Sequence, residues 1–519
     1  MAIHRTRSQH IIHPRFGDVL RAFSMTDNEH SACSDDMQAG RLKAALSRNL
    51  EREEISYCLF KSNPSSASHQ TDQTALDFLV SRSHALRLAE VLLGLGFKQA
   101  STTASEPFPG LICYSGLDLN TGAFMKVRTY VRLVIAGGKS RIYYLPIDDS
   151  FFEATVQGRL FKIPSTELEY VVSVLGLVLR PKLWSRSLRG QPRSAERDQL
   201  RLLAKRVNEN RLNVILRRQL PFLDEGLWAR CLLSLQSQSP VRLRMTVARQ
   251  VHKLLAANEG QRSISVATLQ LVRSTRTLQR RARRGLGCTL QSGGALIAIV
   301  GGDGAGKSSA VDELHASLSA VFSTKKLHLG KPPWSVTTIV VKGLFFLTRR
   351  TGWSGISRAR AFEMGTGTVM QYPGNAWVVW HLLKARDRKR AYVRARRFAA
   401  SGGLVVCDRF PLPEIKLMDC ARTTCLAPSV SLGRLARYLV HRERSYYEDF
   451  GRPDVLIVLK VHPDIAVERK PEEDPDFVRA RACEVWNADW TGTLASLVDA
   501  SLPRGHLSTE IKRLAWSAL

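Results

Sequence analysis

Ala295-Leu-Ile-Ala-Ile-Val-Gly-Gly-Asp-Gly-Ala-Gly-Lys-Ser-Ser309 reads as a strand, a glycine turn and the first turn of a helix, in that order. Six apolar, partly β-branched residues make a buried strand. Gly301-x4-Gly306-Lys307-Ser308 follows, and Ala310-Val-Asp-Glu-Leu-His-Ala-Ser-Leu318 continues with its apolar residues at helical spacing. Glycines so placed let backbone N–H groups converge on an anion at the positive end of a helix. The pattern is that of a P-loop, with Gly301, Gly302, Asp303, Gly304, Ala305, Gly306, Lys307, Ser308 and Ser309 as the ATP-binding segment. Lys307 is expected to reach the β- and γ-phosphates, and the Ser308 hydroxyl to ligate Mg2+.

Outward from the loop, apolar strands alternate with helical patterns. Lys325-Lys-Leu-His-Leu329 reads as a second strand, closed by Gly330-Lys-Pro-Pro333. A largely apolar and aromatic segment runs on to Trp377-Val-Val-Trp-His-Leu-Leu383. Lys384 to Arg397 then carries eight basic residues and one acid on a helical pattern. Leu404-Val-Val-Cys-Asp408, Val455 to Val461 and Leu494 to Val498 are further strands, and a last helix spans about 508–518. Such alternation predicts an α/β fold, a parallel sheet with helices on both faces. Asp408 ends its strand where open sheets bind ligands, which makes it the second candidate for Mg2+ beside Ser308.

These motifs together resemble the thymidylate kinase family of P-loop kinases. The resemblance rests on the loop, on Arg388 and on Val-Val-Cys-Asp408-Arg409-Phe410. It also rests on Pro453-Asp454 before the next strand and on Pro463-x3-Val467-Glu-Arg469 after it, and it covers about 290–519. It implies an ATP- and Mg2+-dependent transfer of the γ-phosphoryl to a nucleoside monophosphate or a related phosphorylated acceptor. Asp303 would face the acceptor's sugar hydroxyl, and Arg388 and Arg409 would grip its phosphate. Lys307 and Arg409 would act in catalysis with an arginine from a lid. Gly304 supplies none, so the lid candidates are Arg469 first, then Arg479 and Arg481. The chain departs from the family in an acidic lid segment, Pro471-Glu-Glu-Asp-Pro-Asp476, and in His328-Leu-Gly-Lys-Pro-Pro333 at the end of strand two. Phe362 and Gln371 lie in the span that would hold a base.

Upstream, residues 1–40 read as a poorly ordered basic tail, and 41–190 as an α+β domain. Ile55 to Phe60 and Ala75 to Val80 read as strands, and Ser83 to Leu95 as an amphipathic helix. Val127 to Ala136 and Arg141 to Leu145 read as a hairpin around Gly137-Gly138, and Glu167 to Leu179 as a helix. This part weakly resembles a nucleotidyltransferase-like domain that lacks most of its metal-binding carboxylates. Asp77 remains, Ala75 stands in place of the first acid, and Arg132 stands where a third would help. A lone Asp77 is expected to be a solvated strand-end residue in an inactive module. Residues 191–285 read as a helical basic segment and linker, with Arg273, Arg276, Arg280, Arg281, Arg283 and Arg284 at the junction before the kinase-like domain at 286–519.

The chain has 519 residues, 44% hydrophobic and 24% charged, which excludes a disordered chain and implies several domains. Its formal charge is +30, from 76 basic and 46 acidic residues, and suits polyanionic partners. Nine scattered cysteines suggest reduced thiols rather than a disulfide framework. The N-terminus lacks the apolar core of a secretory signal, and the segment Ile339 to Leu347 is too short for a membrane span. A cytoplasmic protein, peripheral to a membrane at most, is expected. The competing reading is a non-catalytic ATP-binding protein that engages nucleic acid or an anionic surface through its basic segments; a homodimer stays open.

Overall fold

The computed structural model describes residues 41–61, 75–102, 111–136, 142–145, 150–179, 194–236, 238–258, 287–350, 374–418, 420–426 and 431–519. The chain divides into two units, Met1–Leu286 and Gly287–Leu519.

In the first unit, helix α1 (Arg41–Arg52) precedes strands β1 (Tyr57–Lys61) and β2 (Ala75–Val80). Helix α2 (Ala85–Gly94) and strands β3 (Lys98–Thr102), β4 (Leu111–Leu117) and β5 (Phe124–Tyr130) follow. The strands lie in the order β1-β2-β5-β4-β3, with β2 and β5 parallel and the other pairs antiparallel. Leu46 and Leu50 of α1 and Leu88 and Leu92 of α2 meet Phe78 and Val127 of the sheet in one core. Helix α3 (Thr166–Val178) is buried from Glu167 to Val178, so a helix without a polar face must be enclosed. Its core takes in residues of α4 (Ser194–Arg206), α5 (Glu209–Gln219), α6 (Glu225–Ser234) and α7 (Val241–Asn258). Ser165, Asn208 and Asp224 cap three of these helices, each accepting the N–H three residues on.

Two readings of this unit need correction. The segment expected as one hairpin arm, Val127 to Ala136, is split. Its first part belongs to β5 and pairs with β4, while Leu133–Ala136 pairs with Ile142–Leu145. Strand β4 was not foreseen; its Gly116 leaves room for the Phe97 ring, which lies 2.7 Å from where a Cβ would be. Asp77 is not solvated but 1% exposed. Register sets Arg128 of β5 directly opposite it, and both carboxylate oxygens accept from that guanidinium, one at 3.0 Å. The turn at 137–138, the basic tail, most of the linker after 258 with its arginines, Phe362 and Gln371 lie outside the described residues.

The second unit is α/β. Strands β6 (Ala295–Gly301), β7 (Thr324–His328), β8 (Leu404–Asp408), β9 (Val455–Lys460) and β10 (Ala495–Asp499) form a parallel sheet in the order β7-β8-β6-β9-β10. β6 is buried at every residue and is central. Leu296, Ala298 and Val300 face Ala391, Tyr392 and Ala395 of helix α10 (Asn375–Ala400) and Val485 of α13 (Pro475–Asn487). By strand alternation Ile297 and Ile299 point to the other face, where α8 (Lys307–Ser319) and α14 (Arg504–Ser517) pack together. Asp454 accepts the Leu296 N–H at 2.7 Å and two bonds from Arg396, which ties the start of β6 to α10. The apolar segment after strand two contains helix α9 (Val336–Arg350), and α11 (Arg434–Glu448) was not foreseen. Trp377 to Leu383 and the basic run after it form one helix, α10. A short helix, α12 (Pro463–Glu468), follows β9.

Candidate functional site

The carboxyl end of β6 opens directly into the glycine loop, and α8 starts at Lys307. Gly304 and Gly306 both have φ near +77°, a left-handed conformation that side chains disfavour. At Gly304 space matters as well, because a Cβ would lie 2.7 Å from the Ala466 carbonyl of α12. An arginine cannot sit there. Lys307 is 7% exposed and donates to the Gly302 carbonyl at 2.6 Å, so it lies back over its own loop. Ser308 and Ser309 are exposed at the first turn of α8.

Asp303 gathers the charged groups of the loop. Its carboxylate lies 2.8 Å from Arg481 of α13, 3.6 Å from Lys307 and 3.8 Å from Arg409. Burial works against its ionisation, but the charges of Lys307, Arg481 and Arg409 outweigh this and hold its carboxyl below the usual range. Arg409 reaches it from the residue just after β8, with a backbone φ of +57°. Left-handed backbone at a non-glycine residue costs about 1–3 kcal/mol and concentrates at functional sites. Local sequence gives no sign of that strain.

Asp408, the last residue of β8, is 3% exposed. Its Oδ1 is buried with no hydrogen-bond partner among the described residues, and its Oδ2 lies 3.9 Å from His328 Nε2 at the end of β7. His328 entered the sequence reading only as a departure from a motif; parallel register sets it opposite Asp408. A narrow cleft beside these groups is lined by Lys307, Arg409, Phe410, Ile415 and Met418. Among the described residues no three His, Cys, Asp or Glu side chains cluster as a ready-made metal site.

The remaining candidates are placed differently. Arg388 is 8% exposed, donates to the Leu329 carbonyl at 2.8 Å and to the Tyr447 hydroxyl at 2.6 Å, and so braces the end of β7 against α11. Tyr447 carried no sequence signal. Arg469 donates to the carbonyls of Gly304 at 3.4 Å and Ala500 at 3.0 Å. Arg479 pairs with Asp464. Of the three lid arginines, Arg481, one of the two placed behind Arg469, meets Asp303. The acidic segment has a local role, since Asp474 caps α13 by accepting the Asp476 and Phe477 N–H groups.

The arrangement can hold an anion: Lys307 and Arg409 line the cleft at the N-terminus of α8, and Arg481 meets the same Asp303 carboxylate as they do. No family model matches this chain. The chain is 26% identical over 230 residues, 42% of its length and 85% of the relative's, to a protein of Escherichia coli strain K12 named "Uncharacterized ATP-binding protein YghR". The protein of that name from Escherichia coli O6:H1 matches to the same extent.

Proposed function

We propose that this chain is an ATP-dependent phosphotransferase of the thymidylate kinase-like type, acting on a nucleoside monophosphate or a related phosphorylated acceptor. The observation that carries the reading is the set of cations, Lys307, Arg409 and Arg481, gathered on Asp303 where the glycine loop leaves the central strand. The similarity to a protein named as ATP-binding supports the choice of nucleotide.

In this reading the glycine loop and the N-terminus of α8 bind the triphosphate, and Lys307 leaves the Gly302 carbonyl to meet the β- and γ-phosphates. Arg481 lies on the loop and stabilises charge on the phosphoryl in flight, a role in which a guanidinium is worth several powers of ten in rate. Arg409 holds the acceptor phosphate, and Asp303 releases its cations to the incoming phosphates and accepts from the acceptor's hydroxyl. Asp408 Oδ1 and the Ser308 hydroxyl fit Mg2+, which needs only one or two protein oxygens when phosphate and water supply the rest. Bound there, the ion would neutralise charge on the phosphates.

The test is ADP release with ATP and Mg2+ against nucleoside monophosphates, thymidylate first, then nucleosides and sugar phosphates. One acceptor should stimulate release, and Lys307→Ala should abolish both release and ATP binding. ATP binding without stimulation by any acceptor would sink the kinase reading and leave a nucleotide-binding protein.

A further inference from the structure

Helix α9 wears its polarity inside out. Thr338 is fully buried, while Val336, Ile339, Val340 and Leu344 are 76%, 54%, 55% and 54% exposed. With exposed Gly343, these positions are i, i+3, i+4, i+7 and i+8, the spacing of a single helical stripe. Such a stripe ordinarily faces a core. Here a polar anchor turns it outward: Asp387 of α10, 1% exposed, accepts from the Ser335 N–H at 2.9 Å and from the Thr338 hydroxyl at 2.7 Å. Arg386 adds a bond to the Ser335 hydroxyl at 2.7 Å.

What flanks the stripe indicates what covers it. Trp334, 40% exposed, meets Trp380 edge-on at 6.0 Å. Lys342 Nζ sits 3.8 Å over the Trp334 ring, and Lys384 Nζ lies 5.1 Å over that of Trp380. No acid occurs between Lys331 and Arg350, and Asp387, the one acid between Trp380 and Lys389, is turned inward. An apolar stripe flanked by tryptophans that carry lysines is complementary to an anionic lipid surface, where hydrocarbon takes the stripe, the interface takes the indoles and headgroups take the lysines. No helix among the described residues is long and apolar enough to cross a membrane, so contact through α9 would be in the plane of the interface.

We propose that α9 docks the second unit on an anionic membrane surface. The experiment is co-sedimentation of the full chain with vesicles of phosphatidylcholine containing about one third phosphatidylserine, beside vesicles of phosphatidylcholine alone. Binding is expected to the anionic vesicles, to weaken with salt, and to fall about tenfold in the double variant Ile339→Glu/Val340→Glu. Both positions are exposed, so the thermal unfolding of that variant should match the parent. Lys342→Ser should weaken binding less. Three results overturn the proposal: no sedimentation with anionic vesicles; equal sedimentation of parent and double variant, which would assign binding to general charge; or a stripe-dependent doubling of mass in light scattering without lipid binding, which would assign the stripe to a second copy.

Discussion

Asp77 and Asp303 are both buried carboxylates beside arginine, and they differ in how their charge is balanced. Asp77 meets the guanidinium of Arg128, set opposite by strand register. Burial opposes the charged form of Arg128, but the Asp77 carboxylate outweighs it and drives the guanidinium's pKa up. Asp303 meets three cations among the described residues. An ion pair set by register across two neighbouring strands holds them together. Surplus positive charge at a helix N-terminus favours an incoming anion. Charge balance, rather than the presence of an acid in a sheet, separates the scaffold of the first unit from the candidate site of the second.

That contrast can be broken most sharply at Asp77. Asp77→Ala leaves the Arg128 guanidinium, 30% exposed, without this carboxylate, which costs about 1–3 kcal/mol. Urea unfolding of the full chain should show an early transition for the first unit while ATP binding persists. Loss of ATP binding in this variant would end the assignment of Asp77 to structure alone.

Next is the ranking of the lid arginines. Arg481→Ala should lower acceptor-stimulated ADP release by about a thousandfold or more, since the guanidinium that stabilises charge on the phosphoryl in flight is lost. Arg469→Ala removes only bonds to the Gly304 and Ala500 carbonyls, and should cost about 0.5–1.5 kcal/mol of thermal stability. The reverse order of effects on turnover would return the catalytic role to Arg469.

The smallest effect concerns a carboxylate with neither kind of balance. Glu169 of α3 is 7% exposed, and its Oε1 has no hydrogen-bond partner among the described residues. Burial pushes its pKa up to about 8, against a smaller opposing pull from Arg206. The folded state therefore keeps a proton that the unfolded state gives up above about pH 4.5. Stability from this group should be greatest below that pH and decline as pH rises toward about 8. Glu169→Gln should remove this decline and raise the melting temperature at pH 8, seen in melting curves across that range. A parent melting temperature that does not fall between pH 5 and 8 would count against the buried proton.

Much of the second unit was legible because its signals are local. Six apolar residues before a glycine loop require a strand, and strands β7, β8, β9 and β10 were read within a residue or so from their apolar runs. The last helix starts at Arg504, a turn earlier than its apolar pattern suggested, because Pro503 can precede a first turn whose N–H groups need no partner. The first unit was harder. Its β4 strand carries Gly116, which leaves room for the ring of Phe97 just before β3, a demand that adjacent residues do not reveal.

The sequence by itself determined the strand–loop–helix at 295–319, the carboxylate at the end of β8 and the basic character of α10, since each depends on residues adjacent along the chain. Only the tertiary structure decided which charges meet. Arg481 lies 178 positions from Asp303 and Arg128 lies 51 from Asp77. Asp387 turns α9 so that its valines face outward, and Arg388 is spent on Leu329 and Tyr447. Long-range pairing follows from sheet register and helix packing, which place side chains in space by the geometry of the whole unit rather than by their spacing in the chain.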